Sequence, residues 1–391
     1  MLYTVLKIVV QCCLYIFCKR LYYNTVKYKN IRGPLLLAVN HPNSFFDAIL
    51  LGAFFKQPVH YLARGDAFKR SWALKILTKL HCIPVYRLLE GKQYLHLNDA
   101  TFERCRNIFA KGGIILIFSE GLCENEWNLR PLKKGTARLA LSSWLLPSIG
   151  DKLTILPIGI NYSSFTHSAP TVYINFGTLI NSKQINLTEN EGIIHAQLNT
   201  IIKAQLAVLC IQGLPNTIKC RNLIQMVIAN KGKLINHYFY TSISADRDKY
   251  ISIADNLNLP YMHYTSVTKT QLLRNIVISI VLLIPSIPAL LTYLPLYMFI
   301  KKNIARKALG TGHYHAALFG VCGIIYPLLQ PLVLLIFYLA TSSITFTLIL
   351  TLILLISTYI LKYFCIAVQR ICNFNKLTIK QKILLRSIIN L

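Results

Sequence analysis

From Ala308 to Leu361 the chain runs for 54 residues without a Lys, Arg, Asp or Glu. No other stretch constrains the fold as much. A helix crosses a bilayer core with roughly 20 apolar residues, so the run has room for two passes. The sequence predicts them over 316–339 and 344–361, with a turn at Thr341, Ser342 and Ser343. A third uncharged stretch, 276–300, contains Pro285, Pro288 and Pro295 and is followed by Lys301, Lys302, Arg306 and Lys307.

Charge sharpens this reading. All 14 acidic residues lie at or before Asp255, and the net charge is +28. An acid-free, apolar C-terminal region over 271–391, basic-edged and ending in a basic tail, reads as membrane. Its Lys/Arg flanks favour the cytoplasmic side. If 276–300 crosses fully, the 301–307 loop and the tail lie opposite the N-terminal domain. If its prolines bend it into a re-entrant hairpin, every basic segment lies on one side, which suits the positive-inside tendency better. Spanning helices also tolerate proline. Cationic charge on a membrane protein points to anionic head groups or phosphorylated substrates as partners. Nucleic acid is the competing reading of a basic chain, but no nucleic-acid signature accompanies the charge, so none is expected as a partner.

The 11 cysteines form no C-x-x-C and no paired Cys/His ligand spacing. No metal site is expected, and reduced thiols suit a cytoplasm-facing domain. Within residues 1–30, Ile8–Cys18 is uncharged between Lys7 and Lys19-Arg20. It is too short to span, and no small-residue cleavage site follows it. It reads as an interfacial helix, with Tyr15, Tyr22, Tyr23 and Tyr28 beside Lys19, Arg20, Lys27 and Lys29 at a head-group boundary. The plainer reading is a helix docked on the adjoining domain.

Residues 31–215 alternate two patterns. Strands are predicted over 35–39, 59–63, 82–86, 114–118, 153–160 and 171–176. Helices are predicted over 45–56, 70–80, 96–111, 135–146 and near 190–210. This is the signature of an α/β domain with a parallel or mixed sheet flanked by helices. The polar stretch 216–270 reads as a connector, with a helix start at Ser242–Lys249 and no functional signal.

The chemistry begins where the first of these strands turns into a helix, at Asn40-His41-Pro42-Asn43-Ser44-Phe45-Phe46-Asp47. His titrates near neutral pH, and a carboxylate can hold its tautomer and stabilise its charged form. Residues six apart do not face each other on one helix, so this pair needs the turn. Later strand ends carry Arg87 and the run Phe118-Ser119-Glu120-Gly121. A basic turn, Arg130-Pro131-Leu132-Lys133-Lys134, then enters a helix. Alone, Arg87 reads as a surface ion-pair partner, Glu120 as a cap, and Lys133, Lys134 and Arg138 as a solvated or membrane-facing patch. Together they can build one cleft that holds a phosphate beside a base.

The order of these blocks resembles the glycerophospholipid acyltransferase superfamily over roughly residues 30–180. The blocks are Asn40, His41 and Asp47; Arg87; Phe118, Glu120 and Gly121; and Pro157. The resemblance implies an acyltransferase-type α/β fold. It also implies transfer of a fatty acyl group from a thioester, acyl-CoA or acyl carrier protein as co-substrate, to a glycerol hydroxyl in phospholipid biosynthesis. No further cofactor is implied. His41 would be the general base and Asp47 its orienter. Asn40, Arg87, Glu120 and Gly121 would help hold the phosphorylated acceptor, glycerol 3-phosphate or its 1-acyl form.

Two departures stand out. Five residues, not the family's usual four, separate His41 from Asp47, which is similar to the fungal-type glycerol-3-phosphate/dihydroxyacetone-phosphate branch and to some bacterial lysophospholipid acyltransferases. Second, Leu122 and Cys123 stand where the family has Thr and Arg. Arg130, Lys133 or Lys134 are the candidates to take over the phosphate. Two rivals share the scaffold: a lysophospholipid remodelling acyltransferase or transacylase, and a non-catalytic lipid-binding membrane protein. The intact His–Asp pair argues against the latter. No G-x-S-x-G elbow is present.

Overall fold

The structure, a computed structural model, describes residues 2–25, 30–87, 91–165, 169–211 and 269–374. All but the last two residues of the 216–270 connector, and the tail beyond residue 374, lie outside the described residues.

The central strand is β2, Leu35–Val39, and all five of its residues are fully buried. A five-residue run with no polar side chain can be satisfied only by cover on both faces. The strands β1 (Arg20–Tyr23), β3 (Val59–Arg64), β4 (Cys82–Val85), β5 (Ile114–Phe118), β6 (Thr154–Tyr162) and β7 (Thr171–Phe176) complete the sheet in the order β1-β7-β6-β2-β5-β3-β4. Every pair is parallel except β6–β7. Pro84 is tolerated because β4 is an edge strand.

Alternation along β2 feeds two cores. Leu35, Leu37 and Val39 pack with α1 (Leu2–Phe17) and α2 (Phe45–Phe54). Leu36 and Ala38 pack with α4 (Leu97–Ala110), α5 (Gly135–Trp144) and α6 (Glu191–Leu209). Helix α3 spans Ser71–Lys79 and buries no residue.

Most predicted elements end within two residues of the observed ones. The N-terminal segment differs more. Helix α1 buries Leu14 on the domain, and Lys7 and Gln11 donate to the carbonyls of Phe55 and Ala53. Its other face leaves Leu6, Ile8, Tyr15 and Ile16 exposed. The helix is therefore docked and also presents apolar surface. Residues 20–23, read as a head-group boundary, form edge strand β1, because Arg20–Tyr23 find the open ladder of β7 at Thr171–Ile174.

Of the two arrangements open for 276–300, a crossing helix or a re-entrant hairpin, the hairpin does not form. Helix α7 runs unbroken over Lys269–Ile300 through Pro285, Pro288 and Pro295. Each proline removes one ladder bond, and the turns on either side carry the helix on. Nor does the basic loop lie away from the domain. A π-helical turn, Lys301–Ala305, and a last turn, Arg306–Ala308, bring the chain to α8 (Tyr314–Thr341), whose first turns bury Ala316, Leu318 and Phe319. Ser342, at φ 49°, closes α8 and leads into α9 (Ile344–Phe374). Ala289 N of α7 donates to Ser357 Oγ of α9 at 3.0 Å. Two stretches, Thr270–Ala308 and Ile344–Cys372, are long and apolar enough to cross a membrane.

Candidate active site

The carboxyl ends of β2, β5 and β6 lie side by side, with Val39 level with Phe118 and Ile158. In parallel sheets this edge is where ligands bind. Asn40 leaves β2 and extends its pairing to β6 through the side chain: Nδ2 donates to Ile160 O at 3.0 Å and Oδ1 accepts from Ile160 N at 2.8 Å. Its amide is therefore spent on fixing where His41 begins.

His41 Nδ1 lies 3.0 Å from Asp47 Oδ2. The five intervening residues are used to turn the chain. Ser44, at φ 52°, precedes the first residue of α2, and Asp47 sits in that helix's first turn, fully buried. A buried carboxylate needs donors. Asp47 has the imidazole, Asn43 N at 2.8 Å to Oδ2, and the Tyr162 hydroxyl at 2.6 Å to Oδ1. The His41 ring stacks on Phe118 at 3.6 Å between centroids and 10° between planes. With Nδ1 turned to Asp47, Nε2 is the nitrogen left to act on a substrate.

Glu120 is buried, and both of its carboxylate oxygens accept backbone N–H groups: Oε2 from His41 and Oε1 from Arg130, each at 3.2 Å. Burial pushes this carboxyl up to about 7, against the pull of those two N–H groups and of the Arg130 charge. Glu120 thus ties the His41 turn to the Arg130 loop. Arg87 Nη1 donates to Gly121 O at 3.0 Å, so the two strand ends meet. Gly121 has φ 71°, and a Cβ there would come within 2.9 Å of Lys133 Cγ. Arg130 lies 3.7 Å from Glu126 and 3.8 Å from Glu124. Lys133 N donates to Ser119 O at 2.7 Å, and its side chain is exposed beside Gly121. Lys134 is exposed at the head of α5, and its charge acts on His195 of α6. The structure thus gathers His41, Asp47, Asn40, Glu120, Gly121, Arg87, Arg130 and Lys133; among the described residues nothing links Lys134 to them.

Sequence reasoning missed several residues that shape this site. Tyr162 lies two residues past the predicted end of its strand. Cys123 Sγ accepts from Ser44 N at 2.8 Å. Burial and the charge of Asp47 raise its thiol to about 12, which disfavours the thiolate. His315 Nδ1 is 2.8 Å from Asn43 Nδ2, and His313 Nδ1 is 2.7 Å from Ser44 Oγ. The available signal was that these are the only histidines in the 54-residue uncharged run, and ionisable residues in such runs generally have a function.

Residues 21–161 match the family model described as Acyltransferase. Over this stretch, about a third of the chain, the sequence is similar to acyltransferase domains. The match opens in β1 and closes in β6, so β7 and α6 complete the sheet and its cover from outside it. No curated protein matches the sequence. Among solved structures, the crystal structure of the 1-acyl-sn-glycerophosphate (LPA) acyltransferase PlsC from Thermotoga maritima aligns at 11% identity and a TM-score of 0.37. The alignment covers 52% of this chain and 78% of that one.

Proposed function

We propose that the chain transfers a fatty acyl group from an acyl thioester to a hydroxyl of a phosphorylated glycerol, glycerol 3-phosphate or 1-acylglycerol 3-phosphate, at a membrane surface. The observation that carries this reading is the 3.0 Å contact between His41 and the fully buried Asp47, inside the acyltransferase domain. His41 Nε2 takes the proton of the acceptor hydroxyl as its oxygen attacks the thioester carbonyl. The C–S bond then breaks, the ester forms, and the thiolate leaves and takes up a proton. Asp47 stabilises the imidazolium formed on the way, and general-base help of this kind is worth about 10²–10⁴-fold. Because Nδ1 is fixed on Asp47 and the ring on Phe118, little reorientation is left to do in the transition state.

Arg87, Arg130 and Lys133 line the same edge and are our candidates for the acceptor phosphate, a role that suits cations presented at strand ends. Lys134, at the head of α5, is a weaker candidate. The two long apolar helices and the acid-free C-terminal third support a membrane-bound enzyme, and the basic flanks favour a cytoplasmic acyltransferase domain. The test is acyl transfer by the full chain in detergent micelles, with labelled acyl-CoA or acyl carrier protein offered against each acceptor. His41→Ala is expected to lose at least about 10²-fold in kcat. Wild-type rates from that variant would overturn the assignment.

A further inference from the structure

The acyltransferase domain does not hold its His–Asp turn alone; part of the hold comes from α8, some 270 residues on. His315, in the first turn of α8, is fully buried. Its ring packs against Phe46 and Tyr162 at 6.0 Å and Phe17 at 6.2 Å, and its Nδ1 meets the Asn43 side chain at 2.8 Å. His313, the cap of the same helix, meets the Ser44 hydroxyl at 2.7 Å.

We propose that His315 and His313 are positioning residues for acyl transfer, holding Asn43 and Ser44 so that Asp47 can orient His41. The proposal rests on His41 being the base. The chain of contacts is short. Asn43 N is one of the three donors to the buried Asp47 carboxylate. That N–H can point at Asp47 only if residue 43 keeps its place, and the Asn43 side chain is itself fully buried. In an apolar, aromatic box an amide needs a polar partner, and His315 is one. Ser44 occupies a left-handed backbone conformation that a residue with a side chain persists in only when its surroundings over-determine it. Cys123 grips its N–H and His313 its hydroxyl.

Alpha-8 is seated for this task. Tyr314 and Leu318 cluster with Ile300 and Ala305, and Phe17 of α1 packs against the group. The C-terminal helices and the acyltransferase domain therefore share one wall of the site. Acyl transfer is then expected to require α8 in place, and the domain match over 21–161 covers only part of the working site.

The experiment compares His315→Leu, His315→Asn and His315→Gln in the full chain, with melting temperature measured alongside kinetics. Leu fills the apolar box without a polar atom. Asn presents an amide where Nδ1 stands, whereas Gln carries its amide one bond too far. We expect His315→Leu to lower kcat on the order of 10²-fold with KM for donor and acceptor nearly unchanged, Asn to restore most of it, and Gln to restore little. A role in packing alone would instead lower the melting temperature and leave the kcat of the folded protein intact, overturning the proposal. If His315→Leu does not fold, equal kcat for Asn and Gln would overturn it too. His41→Ala separates the two levels. If it is inactive while His315→Leu runs at the wild-type rate, only the positioning role falls; if it is active, the base and its positioning fall together.

Discussion

At the scale of the residue, the site is a problem in burying one carboxyl group away from water. Asp47 is fully buried, and three donors stand in for its lost hydration. Removing one leaves a buried acceptor short of a partner, which costs about 1–3 kcal/mol. Tyr162→Phe is therefore expected to lower the melting temperature. It is also expected to slow acyl transfer by about tenfold if some 1.4 kcal/mol of hold on the imidazolium is lost; unchanged kcat would show that Tyr162 only packs. Glu120 gives a second expectation, in pH. Its carboxyl titrates near 7 in the fold against 4.5 for the free group. The folded chain thus keeps this proton to higher pH than the unfolded chain, and stability falls as pH rises from 4.5 towards 7, by up to about 3 kcal/mol. Thermal melts across pH 4–9 should show this slope, and Glu120→Gln should flatten it. Glu120→Gln should also lower the whole curve, because an amide cannot accept both backbone N–H groups.

At the scale of the element, the parts of the site are delivered by strand ends, and their register decides whether they meet. Val39, Phe118 and Ile158 are level, so the next residues of β2 and β5 emerge as neighbours. That register depends on how closely helices approach the sheet. Gly159 of β6 faces the end of α6, where a Cβ would come within 2.5 Å of Leu209 O. The intruding atom would meet backbone, which cannot swing aside. Gly159→Ala is expected to push α6 off the sheet and cost about 1–3 kcal/mol. It should also disturb Ile160, on which Asn40 closes its two hydrogen bonds. A melting temperature and kcat equal to wild type would show that the strand yields more than its packing suggests.

At the scale of the whole molecule, a soluble-looking α/β domain and a bundle of apolar helices meet at the His–Asp turn. Helix α7, at about 1.5 Å per residue, is longer than a bilayer core, and many of its large side chains, including Leu273, Val277, Ile280, Val281 and Ile284, are exposed. Surface of that kind marks contact with lipid or with other protein. The full chain is therefore expected to stay in the membrane pellet after alkaline carbonate extraction. Its release into the supernatant would mean that α7 and α9 are covered by protein instead.

The sequence alone was enough for whatever depends on neighbours along the chain. Strands β2 and β5 were legible because five consecutive apolar residues between helical patterns read as a buried strand, and the His41–Asp47 pair because it sits in the turn that follows β2. The uncharged run announced α8 and α9 for the same local reason. Other features were settled by contacts that the local sequence does not announce. Arg20–Tyr23 became a strand because β7 offered an open edge, and α7 stayed unbroken through three prolines because its other turns still bonded. Glu120 spent both oxygens on backbone N–H groups, one from the His41 turn and one from Arg130 in the loop that follows Glu120 itself. His313 and His315 carry no local sign of their partners, because Asn43 and Ser44 lie about 270 positions away and only the packing of α8 on α2 brings them within hydrogen-bond reach.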